Sequence, residues 1–226
     1  MNPVVDAVEG AFRIVFTLVF SPLLRNWYNR WGATSAEVSL ALPGDQDVPQ
    51  PAMGYTRDIT IQSPVSEVWR WIVQIGQGRG GFYSYDVLEN LAGCQIHSAD
   101  RVRPELQVLG VGDAVRLGKE GYPLFRVTEI IPEEALVLRA ADPKTGEIAA
   151  FSDSMPDASA PTVWGFYLRP VDDTASRLIV RQRLYHASKW PFALMWRIVE
   201  PINFVMERKM LFTIKHHAEA DYPAGK

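Results

Sequence analysis

The spacing of apolar positions changes several times along the chain, and each change marks an element. Between Ser63 and Gly76, Val65, Val68, Trp69, Ile72 and Ile75 recur at helical spacing and make one apolar face. Ser63 suits the N-cap, Pro64 the first helical position and Glu67 the first turn, so a helix with a defined start is expected. Gly76, Gly78, Gly80 and Gly81 end it. A second short helix is expected from about Asp86, with Val87, Leu88 and Leu91 turned inward and a stop at Gly93. Upstream, Tyr55–Gln62 sets Ile59 and Ile61 against Asp58 and Thr60, the alternation of a half-buried strand. Downstream, strands are expected at about 113–118, Tyr122–Ile131 and Ala135–Ala141, and turns at such short intervals imply an antiparallel meander. Thr162–Val171 and Arg177–His186 read as two longer strands joined at Asp172-Asp173. In the second, Leu178, Val180, Gln182 and Leu184 share one face and Arg177, Arg181 and Arg183 the other. Arg181, Arg183 and Glu207 invite an ion-pair reading: with the apolar face inward, Gln182 is the polar group turned to the interior and the arginines are solvated, and with the other face inward the arginines could hold an anionic head group. Helical spacing returns from about Trp190 to Ala220, through Ile202, Val205, Met206, Met210 and Ile214. Ser188 is a candidate cap. Pro201 is expected to kink or break this helix, since an interior proline costs about 3 kcal/mol.

One strand, two short helices, several antiparallel strands and a long terminal helix indicate an α+β fold, a curved antiparallel sheet around a long C-terminal helix. A bent sheet crossed by one helix need not fill its interior, so an apolar cavity is expected between them.

Two segments fall outside this frame. Ile14–Leu24 is an uncharged, mostly apolar run that as a helix reaches roughly 17 Å, against a bilayer core of about 30 Å. Asp6 and Glu9 without an early Lys or Arg fit a signal peptide poorly. Trp27, Tyr28, Arg30 and Trp31 follow, a mixture suited to a membrane interface. Residues 1–30 therefore read as an extra N-terminal helix, packed on its own domain or a partner, lying on a membrane surface through residues 11–31, or spanning. Residues 32–54, rich in Pro and Gly, read as an irregular arm, and 142–161 as a long connection with room for a short strand at Ile148–Ser152.

Composition narrows the function. A net charge of −3 argues against a nucleic-acid footprint. The single cysteine, Cys94, excludes an internal disulfide and a cysteine-based zinc site, and reads as a small buried residue. His97, His186, His216 and His217 show no metal-ligand spacing, so no metal or cofactor is expected. Residues 76–81 fit G-x-G-x-x-G formally, but they follow a helix and lead into an aromatic loop, the wrong context for a dinucleotide site. Catalytic signatures are missing, and the Asp86/Glu89 spacing is too common to assign a role.

SPVSEVWRWIVQIGQGRGGFYSYDVLENLAG at 63–93, PELQVLGVGDAV at 104–115 and RLIVRQR at 177–183, with WGAT at 31–34 and LPGD at 42–45, carry a resemblance. The chain resembles the START-like, polyketide-cyclase-like (SRPBCC) superfamily, and more narrowly a bacterial branch with no activity transferable residue by residue. The resemblance implies a helix-grip domain over 55–220, after an apolar helix at 1–30 and the arm at 31–54. It implies binding of a lipid-like or polyketide-like molecule in the interior. Two other readings are a cyclase or aromatase acting through positioned proton carriers, and a membrane-associated or oligomeric scaffold with an incidental cavity. Candidate ligand-binding residues are Arg79, Tyr83, Tyr85, Glu89 and Asn90 at the mouth, with Trp164, Phe166, Gln182, Met206 and Met210 as lining. In a purely structural alternative, Arg79 pairs with Asp86 or Glu89 and pins the loop. The expected location is cytoplasmic, free or peripheral at the inner face of the membrane.

Overall fold

A computed structural model describes residues 3–148, 161–185 and 190–222, without the side chains of 190–193. Helices α1 (Pro3–Tyr28) and α2 (Ser35–Ser39) precede strand β1 (Met53–Ile61), helices α3 (Val65–Val73) and α4 (Asp86–Leu91), and strands β2 (Ala114–Arg116), β3 (Leu124–Ile131), β4 (Ala135–Ala141), β5 (Thr162–Asp172) and β6 (Ala175–Leu184). Helix α5 (Trp190–Asp221) follows. The strands form one antiparallel sheet in the order β1-β6-β5-β4-β3-β2, with α5 across one face: the helix-grip arrangement.

Register shows why one face holds the core. Tyr55, Gln182, Trp164, Leu138 and Val127 are successive cross-strand partners, so their side chains form one row on the inner face. Neighbouring rows bring in Phe166, Val180 and Leu136, and α3 and α5 cover them with Val68, Trp71, Ile72, Met210, Leu211 and Ile214. The outer face is covered by the arm, where Leu42 and Val48 pack on Val137, Val163, Tyr167 and Ile179.

Several expectations need correction. The Ser63 cap is absent: Pro64 holds the cap position of α3, and the buried Ser63 carbonyl accepts from Ser176 Oγ. Leu91 points to solvent, because α4 turns Leu88 toward α1 instead. Helix α5 runs through Pro201 without a break. The carbonyl that Pro201 leaves without a partner belongs to Arg197, an exposed residue where water can replace the missing N–H. Cys94 is half-buried at a cavity rim rather than in the core. The outer-face arginines are not solvated: Arg181 is only 4% exposed, because the arm closes over it. Ile148 bridges Ala141 in antiparallel sense, while the rest of the suggested strand at 148–152, with Ser188 and His186, lies outside the described residues.

Helix α1 lies along α5 and is pinned at both ends. Asp6 accepts from Lys209 Nζ at 2.6 Å, and Glu200 accepts from Arg25 at 2.8 Å and Asn29 at 2.7 Å. Gly10 permits close approach to α4, since a Cβ there would lie 2.8 Å from the Tyr85 ring.

Candidate ligand cavity

Between the inner sheet face, α4 and α5 lies a cavity of about 300 Å³. Phe125 and Trp164 line its sheet side, Phe82 reaches it from the loop before α4, and Ile202, Met206 and Met210 line the α5 side. The aromatic rings contact one another, with Trp164 centred 5.7 Å from Phe125 and 6.1 Å from Phe82. The volume is at the low end of the ~300–1,000 Å³ usual for small-molecule sites.

Its polar lining groups differ sharply in how satisfied they are. Glu207 Oε1 accepts from Tyr55 Oη at 2.6 Å and Trp164 Nε1 at 3.1 Å, and Oε2 accepts from Arg57 Nη1 at 2.7 Å. Arg57 also donates to Asn203 Oδ1 and the Tyr28 carbonyl, and its guanidinium sits 3.7 Å above the Tyr55 ring. Burial drives the Tyr55 hydroxyl well above its usual range. Both charges of the Arg57–Glu207 pair are almost wholly removed from water and are held by several hydrogen bonds, with Arg57 Nη2 alone of the guanidinium nitrogens left without a partner among the described residues. Ser84 Oγ donates to the Met206 carbonyl.

Glu89 is the opposite case. Its carboxyl lines the cavity, and the buried Oε2 has no hydrogen-bond partner among the described residues. Burial, with a contribution from the Asp86 charge, raises its pKa from 4.5 to about 8. At neutral pH it is therefore mostly protonated and able to donate one hydrogen bond. Gln182 also reaches the cavity, with no side-chain partner among the described residues.

The ten sequence-predicted residues thus separate. Glu89, Trp164, Gln182, Met206 and Met210 meet at the cavity, and Phe166 packs behind Trp164 at 4.7 Å. Arg79 turns away and donates to the carbonyls of Val73 at 3.0 Å and Leu106 at 2.8 Å; it pairs with neither Asp86 nor Glu89. Tyr83 Oη accepts from Gln74 at 2.8 Å and donates to the Trp71 carbonyl at 3.2 Å. Asn90 clamps both backbone groups of Ile96, while Asp86 caps Ser98. Tyr85 packs against α1 and Lys209. Arg57 was not anticipated, and Glu207 pairs with it instead of Arg181 or Arg183. The overlooked signal is positional: in β1, Arg57 shares the parity of Ile59 and Ile61 and so faces inward.

No family model matches the sequence, and no curated protein matches it. Solved structures resemble it in fold. A protein from Mesorhizobium loti is 12% identical, with 74% of this chain and 98% of that chain covered and a TM-score of 0.41. The Aha1 dimer from Colwellia psychrerythraea is 14% identical, with 76% and 99% covered and a TM-score of 0.40. The di-domain ARO/CYC BexL, from the BE-7585A biosynthetic pathway, is 13% identical, with 76% and 48% covered and a TM-score of 0.38. Likenesses this distant carry no inference about activity. The helix-grip assignment rests on strand order and on the helix across the sheet.

Proposed function

We propose that the protein binds a small hydrophobic molecule in the cavity between the sheet and α5. The observation that carries this reading is the contrast between an aromatic and Met-rich wall and one unpartnered, mostly neutral carboxyl, Glu89. A ligand matching that wall is largely apolar and bears an acceptor, a carbonyl or hydroxyl, for Glu89. The limited volume favours a compact molecule or one segment of a longer chain. The test is native mass spectrometry of protein purified from its host, with thermal shifts against fatty acids, fatty alcohols and aromatic ketones. Cys94→Phe fills the rim and should abolish the shift while leaving the ligand-free melting temperature nearly unchanged. Absence of a bound species together with no shift for any compound would end this reading.

A second reading, cyclase- or aromatase-type chemistry on a polyketide-like substrate, is favoured by Glu89 alone. A carboxyl with pKa about 8 inside a cavity is suited to proton transfer near neutral pH. Arg79, Tyr83 and Tyr85 lend it less, since the first two are engaged with backbone groups or Gln74 and the third contacts α1. Glu89→Gln separates the readings: it keeps a hydrogen-bond donor for binding but removes the transferable proton.

A further inference from the structure

Helix α1 is built inside out. The side facing the domain carries Asp6, Gly10, Thr17, Arg25 and Tyr28, while Val8, Phe12, Val15, Phe16, Phe20 and Leu23 face solvent. Those six cover roughly 140° of arc at 3.6 residues per turn, and the one charge within that arc, Glu9, is neutralised by Arg13 at its edge. Trp27, 53% exposed, ends the stripe, and the exposed Arg30 follows. Beside the stripe, between α1 and α5, runs an open groove of about 820 Å³. It is walled by Phe12, Phe16, Trp27 and Phe212, and it contains Arg13, Glu9 and Arg208. Arg13 is paired with Glu9. Among the described residues Arg208 has no carboxylate partner and its buried Nε no hydrogen-bond partner; its guanidinium lies 4.8 Å from the Phe212 ring and 5.2 Å from the Trp31 ring.

From this geometry we propose that the outward face of α1 and the adjoining groove dock on an anionic phospholipid bilayer, with α1 lying in the plane of the interface. Acyl chains cover the apolar stripe, and Arg208 and Arg13 meet headgroup phosphates at its edge. A second copy fits less well. A helix pair buries a narrow seam spaced three and four residues apart, here Phe12, Phe16, Val19 and Leu23, and would leave Val15 and Phe20 on its two flanks. Spanning fits less well too. By length and composition α1 can cross a bilayer, but crossing would strip the Asp6–Lys209 and Arg25–Glu200 pairs that tie it to α5.

The test is flotation of the full chain with vesicles of phosphatidylcholine alone and of an equal mixture with phosphatidylglycerol. The wild type is expected to float with the mixed vesicles and to be released by an alkaline carbonate wash. Combined Phe12→Ser, Phe16→Ser and Phe20→Ser should lower partitioning by at least about tenfold without lowering the melting temperature, since these rings face water in the free protein. Arg208→Gln should lower the preference for the mixed vesicles by about fivefold; if that variant misfolds, Arg13→Gln serves in its place. The proposal is overturned if the wild type stays unbound with both vesicles, if the triple variant floats equally well, or if the arginine variants keep the full lipid preference. It is also overturned if carbonate fails to release the protein, or if the phenylalanines drive self-association without vesicles.

Discussion

The two faces of the sheet solve the same problem, burying arginine, in opposite ways. On the inner face Arg57 meets a carboxylate, two rings and a side-chain amide besides the Tyr28 carbonyl, so most of its partners are fixed by residue identity. On the outer face Arg181 reaches the carbonyls of Glu37, Val38 and Leu40 besides Asp45 and Thr56, and Arg183 reaches those of Val48 and Pro49. Arg177 holds Glu37 and the Gly32 carbonyl. The inner solution keeps a charge pair beside an unfilled cavity without exposing either partner. The outer solution staples an irregular segment onto a flat surface. Strand β6 contributes to both, since its alternation sends Gln182 inward and Arg181 and Arg183 outward.

The contrast breaks most sharply at the inner pair. Glu207→Ala leaves Arg57 charged, buried and without its carboxylate, and should cost about 3–5 kcal/mol in denaturant unfolding. Glu207→Gln retains an acceptor for Tyr55 and Trp164 and should cost less. On the outer face, Arg181→Ala should cost about 1.5–3 kcal/mol, and limited proteolysis should then cut within 35–50 before the sheet opens.

Acidity gives a third, smaller effect. Glu89 has a folded pKa of about 8 against 4.5 for the free group, so the folded state holds its proton where the unfolded state has released it. Stability is therefore lost as pH rises from about 4.5 to 8. Glu89→Gln should flatten that slope and gain about 1–2 kcal/mol at pH 8 relative to pH 5. Asp58 sits beside Glu37 and 3.5 Å from Arg177, and burial followed by the Glu37 charge raises it to about 8. Its contribution has the same sign, so a residual slope should persist until Asp58→Asn is added. Glu37, held near 2 by its Arg177 hydrogen bonds, acts oppositely, adding stability above its unfolded pKa that is lost only in strong acid. The smallest effect is expected at Leu91, 80% exposed, where Leu91→Ser should change unfolding free energy by less than about 0.5 kcal/mol.

Periodicity was a good guide wherever one face is buried. Alternation in Thr162–Val171 and Arg177–His186 located β5 and β6 within about two residues and put Trp164 and Gln182 on the inner row. It failed where a polar side chain's partner lies far away in the chain. Arg57 and Glu207 are 150 positions apart, and nothing local distinguishes that pairing from Arg181 with Glu207. The mouth cluster is engaged within the fold for a related reason. Arg79 and Tyr83 stand in a loop dense in glycine, and Asn90, near the end of α4, faces the irregular segment that follows; in both places backbone groups left without helix or sheet partners claim nearby donors and acceptors first. Glu89 escapes that claim because α4 already satisfies its own backbone and turns the carboxyl toward the cavity.

Arg181 and Arg183 hold mostly main-chain oxygens, and a carbonyl looks alike whatever residue supplies it. The spelling of the arm at Val38 and Pro49 can therefore drift without loosening Arg181 or Arg183, provided the path of the chain survives. A saturation scan would find those positions permissive, and Glu37, Asp45 and the three arginines intolerant.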